Sequence, residues 1–317
     1  MGNRLLTTSH GTNREAFSAG DWARFIAVSG IWGASFLFIA IGLDAFHPGL
    51  VTWLRVGFGA AFMATLAKAR NTRISRQDLP RIGLLGLIWV AIPLTLFPIA
   101  QQWIDSAVAG MLNGAMPMFT AIVASLLLRQ LPGRLQMVGL VVGLAGILAI
   151  ALPSAESRST AALGVTLVLV ATVCYGVATN IVVPLQQKYG SIPVMARVLW
   201  VALLLVTPYG IYGLTESGFA WQSLAATMAV GVLGTGVAFI LMGSLVGSVG
   251  PTRSSFITYL MPVVALVLGV VFRDEIVAPL AVVGSLLVIV GALLASRREA
   301  PLSTSPSTDE AAVGPRA

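Results

Sequence analysis

Long apolar runs separated by short polar joints dominate the chain. Ten of them, at 24–43, 48–68, 81–101, 105–127, 134–152, 163–184, 192–214, 222–245, 252–272 and 278–296, reach or approach the ~20 mostly apolar residues with which a helix crosses bilayer hydrocarbon. Backbone N–H and C=O groups find no water in lipid, so a crossing segment must satisfy its own, as a helix does. The runs lack the strict apolar–polar alternation of membrane β-strands. The pattern predicts an all-α integral membrane protein with ten transmembrane helices. The first run follows a long polar stretch and is not followed by a small-residue cleavage motif, so it reads as a retained span.

Composition strengthens this reading. The chain is 57% hydrophobic and 10% charged over 317 residues, against roughly 25% charged in soluble domains. A net charge of +7 would ordinarily raise nucleic-acid binding, but the cations sit in the joints, where they report topology. With the amino terminus cytoplasmic, inner segments carry 15 of the 19 lysines and arginines and outer ones only Arg158 and Arg273. Arg55 and Arg197 fall inside runs. Both termini are therefore expected on the cytoplasmic side, with no nucleic-acid partner. Cys174 alone makes no intrachain disulfide, and with His10 and His47 it makes no dense zinc set. No metal and no cofactor is expected.

The two halves repeat. Gly86, Pro117, Gly139 and Gly146 return as Gly231, Pro262, Gly284 and Gly291, each 145 positions later. WGASF at 32–36 matches YGVAT at 175–179 at an offset of 143, and Arg55 matches Arg197 at 142. Five runs per half is an odd number, so the second copy enters the membrane from the opposite face. The expected organisation is an N-terminal tail at 1–23, a five-helix repeat at 24–152, an outer linker at 153–162, an inverted second repeat at 163–296 and a disordered tail at 297–317. Inverted repeats are an architecture of secondary transporters, which bind substrate near the midplane between the halves.

An arginine at the bilayer centre costs about 2.5–3.5 kcal/mol on insertion scales. Arg55 lies about 10 Å beyond Pro48 and Arg197 about 6 Å beyond Pro193 along their helices. Each head either snorkels to the interface or binds carbonyls at a helix end, or it lines a vestibule and attracts a substrate carboxylate. No Asp or Glu sits deep in a run; Asp44, Asp105, Glu216 and Asp274 lie at outer ends. Since intramembrane carboxylates commonly carry protons in pumps, the sequence favours a facilitator. Pro93, Pro98, Pro117 and Pro262 mark bends that are either hinges or static kinks.

WGASF at 32–36, Leu54-Arg55 in WLRVGF, SAVAGMLNGAMPMFTAIVASLLL at 106–128 and GRLQMVGLVVGLAGILAI at 133–150 form one half of a longer pattern. VGPTRSSFITYLMPVVALVLGVVFRDE at 249–275 and AVVGSLLVIVGALL at 281–294 form the other. In order and duplication these stretches resemble the drug/metabolite transporter superfamily, specifically its ten-helix EamA-type members, over about residues 24–296. Members usually carry Gly-Glu where the fourth span ends; here Arg129-Gln130 stands in the first half and Asp274-Glu275 in the second. The resemblance implies export of small metabolites, amino acids among them, across the cytoplasmic membrane by alternating access. It also implies a cavity bordered by helices one, three, four, six, eight and nine. Candidate lining groups there are Trp32, Ser35, Trp89, Gln101, Asn113, Tyr175, Asn180, Thr235 and Tyr259, with Arg55 and Arg197 as charged candidates. The runner-up is a proton-coupled drug exporter of broad specificity. An intramembrane enzyme or a scaffold is more remote, because no histidine or acid reaches membrane depth. The expected topology is directly testable: single cysteines at Arg73 and Arg158 should react with impermeant thiol reagents from opposite sides of the membrane. Labelling from one common side refutes the inverted arrangement.

Overall fold

The computed structural model describes residues 18–128, 133–157, 161–249, 254 and 257–295. Most of the expected N-terminal tail, Arg129-Gln130, Arg158 and the tail at 297–317 lie outside them. Among the described residues every regular element is helical.

Helix α1 (Ala19–Leu43) starts ahead of its apolar run because a capping box holds its first turn. Ser18 Oγ accepts from the Asp21 N–H while the Asp21 carboxylate accepts from the Ser18 N–H. Helix α2 (Pro48–Thr65) opens on a proline, whose missing N–H is no loss at that position, and His47 Nδ1 accepts from the Gly49 N–H. The short α3 (Ala67–Asn71) leads into a rod made of a 3-10 turn (Arg76–Asp78), α4 (Leu79–Leu85), a π-helical segment (Gly86–Ala91) and α5 (Ile92–Ala100). Next, α6 (Ser106–Asn113) and α7 (Met116–Leu128) are two halves of one run, broken at Gly114-Ala115. Then come α8 (Arg134–Ser157), α9 (Ala161–Tyr189) and α10 (Ser191–Thr215). Gly190, at φ 80°, makes the turn between the last two, a conformation that suits glycine. A second rod joins α11 (Trp221–Ala229), a π-helical segment (Val230–Val237) and α12 (Ala238–Val249). The described chain closes with α13 (Ile257–Arg273) and α14 (Pro279–Ala295).

Seven of these rods are long and apolar enough to cross a membrane, and α13 and α14 are shorter apolar helices. Their outward faces carry large apolar side chains: Leu204 is 73% exposed, Leu126 71% and Val141 65%. An apolar girdle of this kind is unfavourable in water and suits lipid. Inside, two buried clusters form, and Trp32, Trp53 and Tyr175 pack against both.

Two seams depend on glycine. Where α8 meets α14, a Cβ on Gly146 would fall 2.6 Å from the Gly284 carbonyl oxygen and the Val288 nitrogen. A Cβ on Gly291 would run into Gly139 O and Gly143 N in the same way. Adding 145 to 139, 143 and 146 gives 284, 288 and 291, so each contact is the other's counterpart. The π-helical segments form the second seam. Gly86 lies against Val198 O and the Val201 side chain, and Gly231 against Arg55 O and the Phe58 side chain. Here the matching offset is 143, since 55 and 58 map onto 198 and 201.

Backbone has nowhere to yield at the first seam. Gly146→Ala should lower stability by about 1–3 kcal/mol, the usual penalty of overpacking. Gly83→Ala, with nothing within 4 Å of the new Cβ, should be neutral or raise stability by up to about 1 kcal/mol. Thermal unfolding in detergent checks both, and equal behaviour of the two variants would contradict the seam.

Candidate substrate cavity

A cavity lies between α1, α2, the α4–α5 rod, α6–α7, α9, α12 and α13, with about 1030 Å³ of space, its open mouth included. Its wall is mostly aromatic and aliphatic. The Phe239 ring meets Trp32 and Trp89 edge-on at 5.6 and 5.3 Å, and Phe97 stacks on Tyr175 at 5.9 Å. From Tyr175 to Gln186, both lining residues, the cavity follows α9 for about 16 Å. The far end of the molecule is tied shut. Arg273 donates through both terminal nitrogens to Asp44, at 2.7 and 3.0 Å, joining the ends of α13 and α1. Glu275 accepts from the Ser106 and Ala107 N–H groups and the Ser106 hydroxyl, at 2.6–2.9 Å. It thereby caps the start of α6, where a carboxylate is favoured by the helix dipole.

Arg55 is the charged group of the wall and is only 6% exposed. Its Nε donates to Thr235 Oγ1 at 3.1 Å, and Thr235 in turn donates to Val230 O inside the π-helical segment. Among the described residues no carboxylate pairs with this guanidinium. The Tyr175 side chain lies within electrostatic reach of it. Burying an unpaired charge is costly, and the cost is relieved when an anion enters.

Asn113, 3% exposed, borders the same space, and its Oδ1 has no hydrogen-bond partner. Trp32 also lines the cavity, its Nε1 donating to Gly234 O at 2.8 Å, and so do Ser35, Trp89 and Tyr175. Thr235 stands behind the wall and acts through Arg55. The other candidates stand elsewhere. Asn180 donates to Thr120 O and Gly176 O, a helix-to-helix tie. Tyr259 is not among the lining residues. Gln101 borders a separate recess at the tied end with Asp44, His47 and Arg273. His47 caps α2 there and meets the Tyr209 and Tyr212 rings edge-on.

Arg197 departs furthest from expectation. It donates to the carbonyls of Ala69, Thr72 and Pro193, fastening α10 to the segment after α2. The seam at Gly86 and Gly231 explains why. Its offset of 143 makes Val198, not Arg197, the counterpart of Arg55. One residue is about 100° around a helix, enough to turn one arginine into the cavity and the other out of it. Sequence reasoning also missed Phe97, Phe239, Gln186 and Thr258. Thr258 was findable, because it is Asn113 displaced by 145.

Membrane-length helices around one apolar cavity, with a lone buried cation in its wall, define a helical small-molecule transporter. The chain belongs to the EamA-like transporter family, whose model matches residues 22–152 and 162–297. It is similar to a probable terminal-alkyne amino-acid exporter of Streptantibioticus cattleyicolor, 29% identical over 87% of this chain and 93% of the relative. It is also similar to a probable amino-acid metabolite efflux pump of Escherichia coli K12, 24% identical over 82% of this chain and 89% of the relative. One solved crystal structure shares its fold with a TM-score of 0.60 at 18% identity, covering 89% of this chain and 99% of its own.

The two arginines should separate experimentally. Arg197→Ala removes carbonyl ties and should lower thermal stability by about 1–3 kcal/mol while leaving the KM for transport within twofold. A large rise in KM with unchanged stability would contradict this division.

Proposed function

We propose that this protein exports small carboxylate-bearing metabolites, amino acids first among them, from the cytoplasm by alternating access. The observation that carries the reading is Arg55, a buried guanidinium without a counter-ion in the wall of an apolar cavity. Charge-assisted, bidentate bonding to carboxylate is what this group does best. Relatives named as amino-acid exporters support the same class.

The proposed frame is ten spans in the cytoplasmic membrane, arranged as inverted repeats at 24–152 and 163–296 with both termini inside. Reciprocal contacts support it: α8 with α14 at offset 145, and the two π-helical segments at offset 143. In this frame the Asp44–Arg273 tie and the Glu275 cap close the outer end, and the cavity reaches toward the inner end at Gln186. Export then requires those outer ties to open while the inner end closes.

A facilitator fits best, since the residues lining the cavity include no Asp or Glu to carry a proton. The unpaired arginine also disfavours the drug-exporter alternative, because it repels a lipophilic cation. Relatives named as transporters support a role outside enzymology and scaffolding. In proteoliposomes, amino acids should displace a transported amino acid and tetraphenylphosphonium should not. Flux should depend little on a pH gradient. Arg55→Gln should cut transport about tenfold to a hundredfold, the loss expected for a charge-assisted bond, with normal insertion. Strong gradient dependence defeats the facilitator, and cation competition defeats the carboxylate reading.

A further inference from the structure

The break in the fourth run stands where the cavity is. Helix α6 ends at Asn113, and the next two amides close tight turns, Gly114 N to Met111 O and Ala115 N to Leu112 O, both at 3.1 Å. Pro117 then follows, without an N–H for the Asn113 carbonyl four residues back. In α13 the same geometry recurs 145 residues later, since Pro262 offers no N–H to the carbonyl of Thr258, another lining residue. The two sites adjoin: a Cβ on Gly114 would lie 2.7 Å from Pro262 Cγ. Asn113 adds a side-chain oxygen that is buried and unpartnered. The amide's two ends are nearly isosteric, so a half-turn presents acceptor or donor to the cavity without repacking. The negative end of the α6 dipole points the same way. Several acceptors thus converge with no protein cation supplied to them.

This acceptor-rich wall and Arg55 rest on one turn of α1. The Ser35 hydroxyl abuts Gly234, beside the Thr235 that holds Arg55, and the Phe36 ring abuts Gly110, one turn before Asn113. A cationic anchor and an oxygen-rich anchor on one turn match the carboxylate and ammonium that an α-amino acid carries on a single carbon.

We infer that the Asn113 amide, with the proline-freed carbonyls of Asn113 and Thr258, forms an ammonium pole. This pole makes the transporter select α-amino acids over plain carboxylates of the same shape. The inference rests on the carboxylate reading of Arg55 and deepens it. Broken helices that use unwound carbonyls for cations at membrane depth are physically sound, and Asn113 is the specificity-determining side chain here. The apolar part of the substrate then lies against Trp32, Trp89 and Phe239.

The test is counterflow of labelled phenylalanine in proteoliposomes, competed by phenylalanine or by 3-phenylpropanoate, which lacks only the amine. The wild type should favour phenylalanine about tenfold to a hundredfold, the range for one unmet buried hydrogen-bonding group. Asn113→Leu should bring that ratio toward one. Its melting temperature without substrate should equal or exceed the wild type's, because a structural asparagine would lose stability and an orphaned amide does not. Pro117→Ala, which returns an N–H to the Asn113 carbonyl, should lower the ratio severalfold and serves if Asn113→Leu does not fold. An unchanged ratio in both variants overturns the ammonium pole. Equal inhibition of the wild type by both compounds overturns it too, while leaving the carboxylate reading intact. If 3-phenylpropanoate fails to compete at any concentration and Arg55→Gln behaves as wild type, the carboxylate reading itself falls.

Discussion

A guanidinium bonded at one nitrogen and otherwise unmet is the strained point around which this molecule is organised. Arg55 reaches the cavity because Thr235 holds its Nε, and Thr235 stands there because the chain widens into a π-helical segment at Val230–Val237. That segment packs tightly on α2, since Gly231 lies against the backbone of Arg55 itself. The same close approach thus fixes both the arginine's backbone and its side-chain partner. An ordinary side chain in place of Gly231 would push the two helices apart and spoil the bond. The charge is then left beside an aromatic wall in a site of low polarity, where its attraction for an anion is strongest.

Much of this was legible in the chain. Apolar runs of membrane length name the class, because lipid leaves a backbone few alternatives to helix. An arginine inside such a run flags itself through its cost, and Trp32, Trp89, Asn113 and Tyr175 were recognisable as polar or aromatic groups set at depth. What stayed hidden depends on register. Aligning Arg55 with Arg197 was off by a single position, which hydropathy cannot resolve and which only the glycine seam corrects. Asn180 and Gln101 look like lining groups by depth alone, but which way a helix turns them is decided by neighbours far away in sequence. The π-helical segments leave no compositional mark beyond their glycines, and the Ser18 capping box that lengthens α1 lies outside the apolar run altogether.

The proposed cycle uses features of opposite character at the two ends. The outer tie is made of an exposed ion pair, worth little in water, and a carboxylate cap on a helix start, worth somewhat more. Both are polar contacts that water can replace, so opening there carries a modest cost. The α8–α14 seam, by contrast, is backbone against backbone and has no solvent substitute. It is suited to stay closed while the other helices move. In this account the prolines at 117 and 262 serve two ends at once, bending the helices that border the cavity and leaving their carbonyls free for a ligand.

A structure of the protein loaded with an amino acid would test the central claim most directly. The account predicts substrate carboxylate oxygens within about 3 Å of the terminal nitrogens of Arg55, with the side chain against Trp32, Trp89 and Phe239. Substrate density seated instead in the outer recess beside Gln101 and His47, with the Arg55 guanidinium facing only water, would contradict it.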